Sequence, residues 1–257
     1  MLRFFRNIRL QLVESKKLRR YLLYALGEIA LVVIGILIAL AINNASAKNS
    51  LKKTENTYLS GLETEFKMSK NKLRELIGVN RENMKGAREI LNYTNNRNNK
   101  PSETRFSELL YTTFAYDISF NANNSLLNEM VSSGSLKDLS NPELRIRLTN
   151  WFATLEDIAK QERDLALQRE NVLDMFRDDN SSIRQIFDDT GISEQLQLSP
   201  SNSVRTNLAM LESPAFENNV LYFLLTSFAT ETYHYQPLLQ EIEAILALIG
   251  KQIESGS

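Results

Sequence analysis

The apolar and polar positions of this chain fall into distinct regimes. From Tyr21 to Ile42 the sequence runs for 22 residues with one charge, Glu28. As a helix rising 1.5 Å per residue this segment is about 33 Å long, enough to cross the hydrocarbon core of a bilayer. From Lys48 to Leu91 the pattern changes to steps of three and four, or their sums: Leu51, Tyr58, Leu62, Phe66, Leu73, Leu76/Ile77, Met84, Ala87, Leu91. That period marks one face of a long amphipathic helix, with only Asn43-Asn44 between it and the span. "NYTNNRNNKP" (Asn92–Pro101) reads as a loop.

Ser102 is placed to cap a helix reaching about Phe114, and a short helix around Ser125–Ser132 is expected to stop at Gly134. Asn141-Pro142-Glu143 combines an N-cap, a proline at the first helical position and an early acid. The helix it opens carries Leu144, Leu148, Trp151, Leu155, Ile158, Glu162, Leu165, Arg169, Val172 and Phe176 in alternating steps of four and three. This is a heptad seam with charges at Glu162 and Arg169. Those two either make a buried polar layer or mark a drift of the core face onto Ala159, Ala166 and Leu173; the drift is the favoured expectation. A short helical piece near Ile183–Phe187 and a polar loop, Asp188–Ser203, follow. Ser213-Pro214 then opens a final helical stretch, Ala215 to Ile253, kinked or split near Pro237. Only Tyr111–Phe120 has any β character. The expected fold is all-α: one N-terminal transmembrane helix, then an antiparallel bundle of about four main helices.

Charge sets the topology. Residues 1–20 hold seven bases, Arg3, Arg6, Arg9, Lys16, Lys17, Arg19 and Arg20, against Glu14. With that segment and Glu28 set aside, 23 of the 30 bases and 29 of the 31 acids remain, a net of about −6. Only Lys48, Lys52 and Lys53 follow the span closely, so the positive-inside rule puts the N-terminus in the cytoplasm and the later domain outside it, in a bacterium the periplasm. The expected division is residues 1–20 as a basic cytoplasmic or interfacial segment, 21–43 as the span, 44–254 as the bundle and 255–257 as a tail. Phe5, Ile8 and Leu12 share a helical stripe while Arg3, Arg6 and Arg9 reach phosphates, so the segment fits an anionic inner leaflet; a disordered basic tail is the alternative. Ala45-Ser46-Ala47 has the form of a signal-peptide cleavage site, but the apolar segment is longer than a typical signal core. Nothing resembles the basic, aromatic-interleaved groove of a nucleic-acid binder.

The chemistry is sparse. Cysteine is absent, which excludes disulfides and thiolate metal sites. His234 is the sole histidine, so neither a multi-histidine metal site nor a Ser–His triad with a spare base can be assembled. Its setting, Tyr233-His234-Tyr235, is a weak candidate for ligand contact. Asp178-Asp179 and Asp188-Asp189 lack calcium-loop spacing and read as solvated loops. The aromatics at helical spacing read as core. The chain is therefore expected to be non-enzymatic, without metal or cofactor. Within the span, Glu28, Gly35 and Ala39 share one side of the helix at spacings of seven and four. Small residues four apart permit close helix approach, and intramembrane acids usually face protein or water, so this stripe is the candidate packing or pathway face.

"LGEIALVVIGILIALAINN", with "FFRNIR" before it, resembles the N-terminal signature of a family of single-span bacterial inner-membrane proteins of unknown function. The matching positions are Gly27, Glu28, Ile29, Val33–Leu40 and Asn43-Asn44. "MVSSGSLKDLSNPELR" (Met130–Arg145) is similar to a second stretch of that family. Ala41 and Ala45 stand where family members carry Gln and Trp, so an interfacial tryptophan anchor is lost. The resemblance implies topology and no activity. The leading expectation is an inner-membrane protein acting through bundle-mediated contact with a membrane-protein partner or through homo-oligomerisation. Alternatives are an oligomeric ion channel or gating subunit with Glu28 in its pathway, and a periplasmic ligand sensor.

Overall fold

The computed structural model describes residues 18–94, 96, 99–201 and 205–256, and it is helical with no strand among them. The chain divides into two compact units between Asn56 and Thr57. Helix α1, Leu18–Tyr93, contributes to both. Its part in the first unit contains a window of mean hydropathy 2.7, none of it buried within the protein. That segment is long and apolar enough to cross a membrane. Residues 44–54, expected to belong to the bundle, are exposed, and Leu51 is 61 % exposed; the packed unit starts at Thr57.

The second unit follows the predicted caps. Ser102 accepts a hydrogen bond from the Arg105 N–H and opens α2, Glu103–Phe114. Helix α3, Ser125–Ser133, stops at Gly134, whose φ of 74° is the left-handed conformation glycine adopts freely. Asn141 accepts from the N–H groups of Glu143 and Leu144 to start α4, Pro142–Asp174. Two short helices follow, α5 (Ile183–Asp189) and α6 (Ile192–Gln195), the second inside the stretch expected to be a polar loop. Ser213 caps α7, Pro214–Ala229, which passes through a π-helical turn, Thr230–Tyr235, into α8, Gln236–Gly256. The supposed β segment, Tyr111–Phe120, is the last turn of α2 followed by irregular chain.

Two hydrophobic clusters fill this unit. One contains Leu62, Phe66, Leu73, Trp151, Ile158, Leu238 and Ile242; the other contains Ala87, Phe106, Phe114, Leu165, Val172, Phe216 and Phe223. Each long helix passes from one cluster to the other, and at that level it carries buried polar residues: Asn80 and Asn83 on α1, Glu162 on α4, Ser227 on α7, Thr230 and Glu231 in the π turn. The expected drift of α4 onto Ala159, Ala166 and Leu173 does not occur. Those three are half-buried, while Leu144, Leu148, Trp151, Ile158, Glu162, Leu165 and Val172 keep the seam.

Glu162 can stay in the seam because it is paired. The Tyr235 hydroxyl donates to its Oε1 at 2.6 Å, and the Phe120 N–H donates to the same oxygen at 2.8 Å. Burial, the largest effect, raises the Glu162 carboxyl above its ordinary value; the two donors pull it partly back, and Asp117 adds a smaller upward push. Burial also raises the Tyr235 phenol, reinforced by the adjacent Glu162. Arg169, the other seam charge, donates to the Phe114 and Ala115 carbonyls at 2.7 and 3.1 Å, capping the C-terminus of α2.

The π turn brings Tyr235 into place. Buried positions from Phe216 run 220, 223, 227, 230, then 235, 238, 242, 245 and 249. Glu231, next to Thr230, is buried as well, so two adjacent residues face inward at the turn and steps of three and four continue on either side of them. The Gln236 N–H bonds the Glu231 carbonyl five residues back, and Pro237, which has no N–H to offer the ordinary α partner, follows at once. Around the turn, Asn80 Nδ2 donates to the Ser227 carbonyl at 3.0 Å, Gln161 Nε2 to Thr230 Oγ1 at 3.0 Å, and Arg81 Nε to Glu231 Oε1 at 2.7 Å.

Replacing Glu162 tests this layer. Glu162→Leu strands the Phe120 N–H and the Tyr235 hydroxyl, at about 1–3 kcal/mol for each unsatisfied group. Glu162→Gln keeps an acceptor and folds as well as the parent or better at neutral pH. Because the folded carboxyl is raised, its contribution to stability is complete below the unfolded value of 4.5 and is lost as pH rises through the folded value. Thermal unfolding followed from about pH 4 to about pH 8 should therefore show a decline in the parent that Glu162→Gln removes.

Candidate functional site

Helix α7 differs from its neighbours in having no charged side after Glu217. Between Glu217 and Glu231 it carries no charge. Its inward residues, Phe216, Val220 and Phe223, are buried, whereas Leu221, Tyr222, Leu225 and Phe228 are 46, 62, 61 and 46 % exposed. Leu221, Leu225 and Phe228 are spaced four and three apart, so they form one outward stripe with Tyr222 beside it. A contiguous exposed apolar patch marks a contact surface. The aromatics at helical spacing, expected in the core, divide: Phe216 and Phe223 are buried, whereas Tyr222 and Phe228 are exposed.

In the first unit Gly35 and Ala39 are exposed, and a Cβ added at Gly35 would meet nothing within 4 Å. Glu28 is half-buried and already has a partner within the chain, so the close-approach argument for this stripe passes to Gly35 and Ala39. Arg3, Arg6, Arg9, Lys16 and Lys17 lie outside the described residues, as do the side chains of Arg19 and Arg20.

The Tyr233-His234-Tyr235 candidate is split by the helix. Tyr235 turns inward to Glu162, Tyr233 is 68 % exposed, and His234 is half-buried. Tyr233 and His234 do line a broad, open groove against α4, with Asp157, Pro237 and the Arg147–Glu241 ion pair of 2.6 Å. Of the acid pairs, Asp178-Asp179 is exposed, as expected, whereas Asp188-Asp189 is tied into the fold. Asp188 accepts from Ser193, from Arg184 and from the Ser201 N–H, and the Ser193 hydroxyl is the main cause holding its carboxyl below the usual range. Asp189 accepts from Ser107 Oγ at 2.7 Å, tying α5 to α2. No group of three or more metal-ligating side chains occurs among the described residues.

A more enclosed cleft of about 330 Å³ lies between α2, the end of α4 and the α5–α6 excursion. Leu110, Phe114, Phe176 and Ile186 form its floor, and Arg169 and Arg177 reach its edge.

Compared with known families, residues 28–159 match a family of unknown function, DUF6090. The chain belongs to that family. The match begins at Glu28 inside the Gly-Glu-Ile motif and takes in Glu28–Asn44 and Met130–Arg145 of the stretches that carry the resemblance, while "FFRNIR" lies before it. It ends one helical turn before Glu162, so α7, the π turn and α8 lie beyond the residues matched to DUF6090. No curated protein and no solved structure matches the chain.

The two sides of α7 should respond oppositely to substitution. Phe223→Ala, in the core, costs about 3–5 kcal/mol. Leu225→Glu with Phe228→Glu, on the exposed side, changes the stability of an isolated protomer by no more than about 0.5 kcal/mol per site. Chemical denaturation of dilute protein reads both effects.

Proposed function

We propose that this member of the DUF6090 family is a non-enzymatic, single-span inner-membrane protein that works by assembling with a second copy of itself. The outward apolar face of α7 carries this reading. Four large side chains stand in water on a helix with no charge along thirteen consecutive residues, Asn218 to Thr230, and covering them removes a standing free-energy cost. The Gly35–Ala39 stripe gives the first unit its own close-contact face, so both units present surfaces suited to a two-fold pair. Confinement to a bilayer raises the effective concentration of such faces and lets modest contacts suffice.

In this arrangement the seven N-terminal bases hold the anionic inner leaflet, the 21–43 segment spans, and the helical domain lies in the periplasm. A C-terminal alkaline phosphatase fusion should be active and the matching green-fluorescent fusion dark. The reverse pair would overturn the orientation.

Absence of cysteine makes the assembly test direct. Leu225→Cys, oxidised in native membranes, should give a disulfide-linked dimer, whereas a control cysteine at exposed Glu129 should not. Gly35→Ile has room within the protomer and should lower the Leu225→Cys dimer yield several-fold. A Leu225→Cys chain that stays monomeric under oxidation would contradict the reading.

A further inference from the structure

The cleft beside α2 has a composition that the rest of this acidic domain does not share. Its floor is hydrocarbon and aromatic, built from Leu110, Phe114, Leu173, Phe176, Ile186 and Phe187. Its polar groups are Arg169, Arg177 and the hydroxyls of Tyr111 and Tyr116, and no carboxylate lines it. Binding sites for small molecules combine an apolar wall with a few convergent polar groups in this way.

Arg169 and the tyrosine pair retain capacity for a ligand. Arg169 is 18 % exposed and fixed in place, because its Nε and Nη2 are committed to the Phe114 and Ala115 carbonyls. Its Nη1 has only a 4.0 Å approach to Glu170. The same two bonds neutralise the negative end of α2, which would otherwise repel an anion. Tyr111 and Tyr116 hydroxyls lie 3.0 Å apart and share one hydrogen bond, so whichever oxygen accepts keeps its own hydrogen to donate. That bond also raises the Tyr111 phenol, so the hydroxyl remains a donor at neutral pH. Arg177 is 58 % exposed at the rim, and its Nη1 and Nη2 are already paired with Asp174 and Glu170, so it acts on the cleft through its position and not through free donors.

We infer that this cleft binds a small single-chain amphiphile bearing one negative charge, its hydrocarbon part on the Leu110–Phe114–Phe176–Ile186 floor and its carboxylate at Arg169 and the tyrosine pair, with Arg177 at the rim. The volume of about 330 Å³ lies at the low end of the range for small-molecule sites and excludes a two-chain phospholipid. The charge pattern selects an anion over an amine of the same length. The ligand seats between α2 and α5, which Ser107 and Asp189 already tie together, so occupancy stabilises the packing of the α5–α6 excursion.

The experiment uses the full chain in lipid nanodiscs, isotopically labelled at isoleucine methyl groups, titrated with octanoate and, separately, with octylamine. Octanoate should shift the methyl signals of Ile183, Ile186 and Ile192 saturably and raise the melting temperature, while octylamine should do neither. Ala115→Trp, which fills the cleft from its half-exposed rim, should abolish the octanoate shifts, and Arg177→Gln should weaken binding about five-fold or more. The inference is overturned if octanoate leaves those three methyls unmoved, if octylamine moves them equally, or if the shifts persist in a folded Ala115→Trp protein. Should Ala115→Trp not fold, the wild-type comparison of octanoate with octylamine decides alone. Dimer formation through Leu225→Cys is read independently, so failure of either proposal leaves the other standing.

Discussion

The bundle depends on one carboxyl group accepting two hydrogen bonds at the boundary between its two cores. Glu162 stands in a heptad seam where a hydrophobic residue would be expected, and α4 keeps that seam straight only because Tyr235 and the Phe120 N–H satisfy the same oxygen. The Tyr235 hydroxyl reaches it because the π turn inserts one residue into the α7–α8 helix. One extra residue rotates everything downstream by about 100° relative to an uninterrupted α-helix. Without it, the aliphatic residues of α8 from Leu238 onward would leave the core that they share with Trp151.

That rotation also separates the inner and outer faces of the C-terminal helices. Phe216, Val220 and Phe223 before the turn and Tyr235, Leu238 and Ile242 after it are all buried, while Tyr233 and the Leu221–Phe228 stripe point away. The apolar content of α7 exceeds what one core needs, and the excess stays on the surface. The assembly proposal follows from this surplus. The interior of the domain is closed around its polar layer, so contact with another molecule falls to its outer face and to the cleft beside α2.

Much of the fold was legible in the chain. Asn141-Pro142, Ser213-Pro214, Ser102 and Gly134 mark helix ends through local hydrogen bonding and backbone geometry, which need no tertiary information. The polar layer was half legible. Glu162 interrupts a visible heptad, but its partner is 73 positions along the chain and its other donor is a backbone amide, so periodicity favoured a drift that burial does not show. The π turn was not legible, because inner and outer aromatics cannot be told apart before the buried pattern, with Thr230 and Glu231 both inward, is known. The cleft was illegible because Arg169 and Tyr111 come together only when α2 lies against α4. Asp188 and Asp189 looked like a solvated pair because the serines that engage them, Ser193 and Ser107, lie in a separate short helix and in α2.

On the proposed assembly, a helical chain of 29.4 kDa with one segment long and apolar enough to cross a membrane is completed by a second copy. Native mass spectrometry of the full chain ejected from lipid vesicles measures that most directly. The account predicts a dominant species of twice the chain mass that reverts to the chain mass when Leu225 and Phe228 are both glutamate. A wild-type chain found only at its own mass, at any protein-to-lipid ratio, would contradict it.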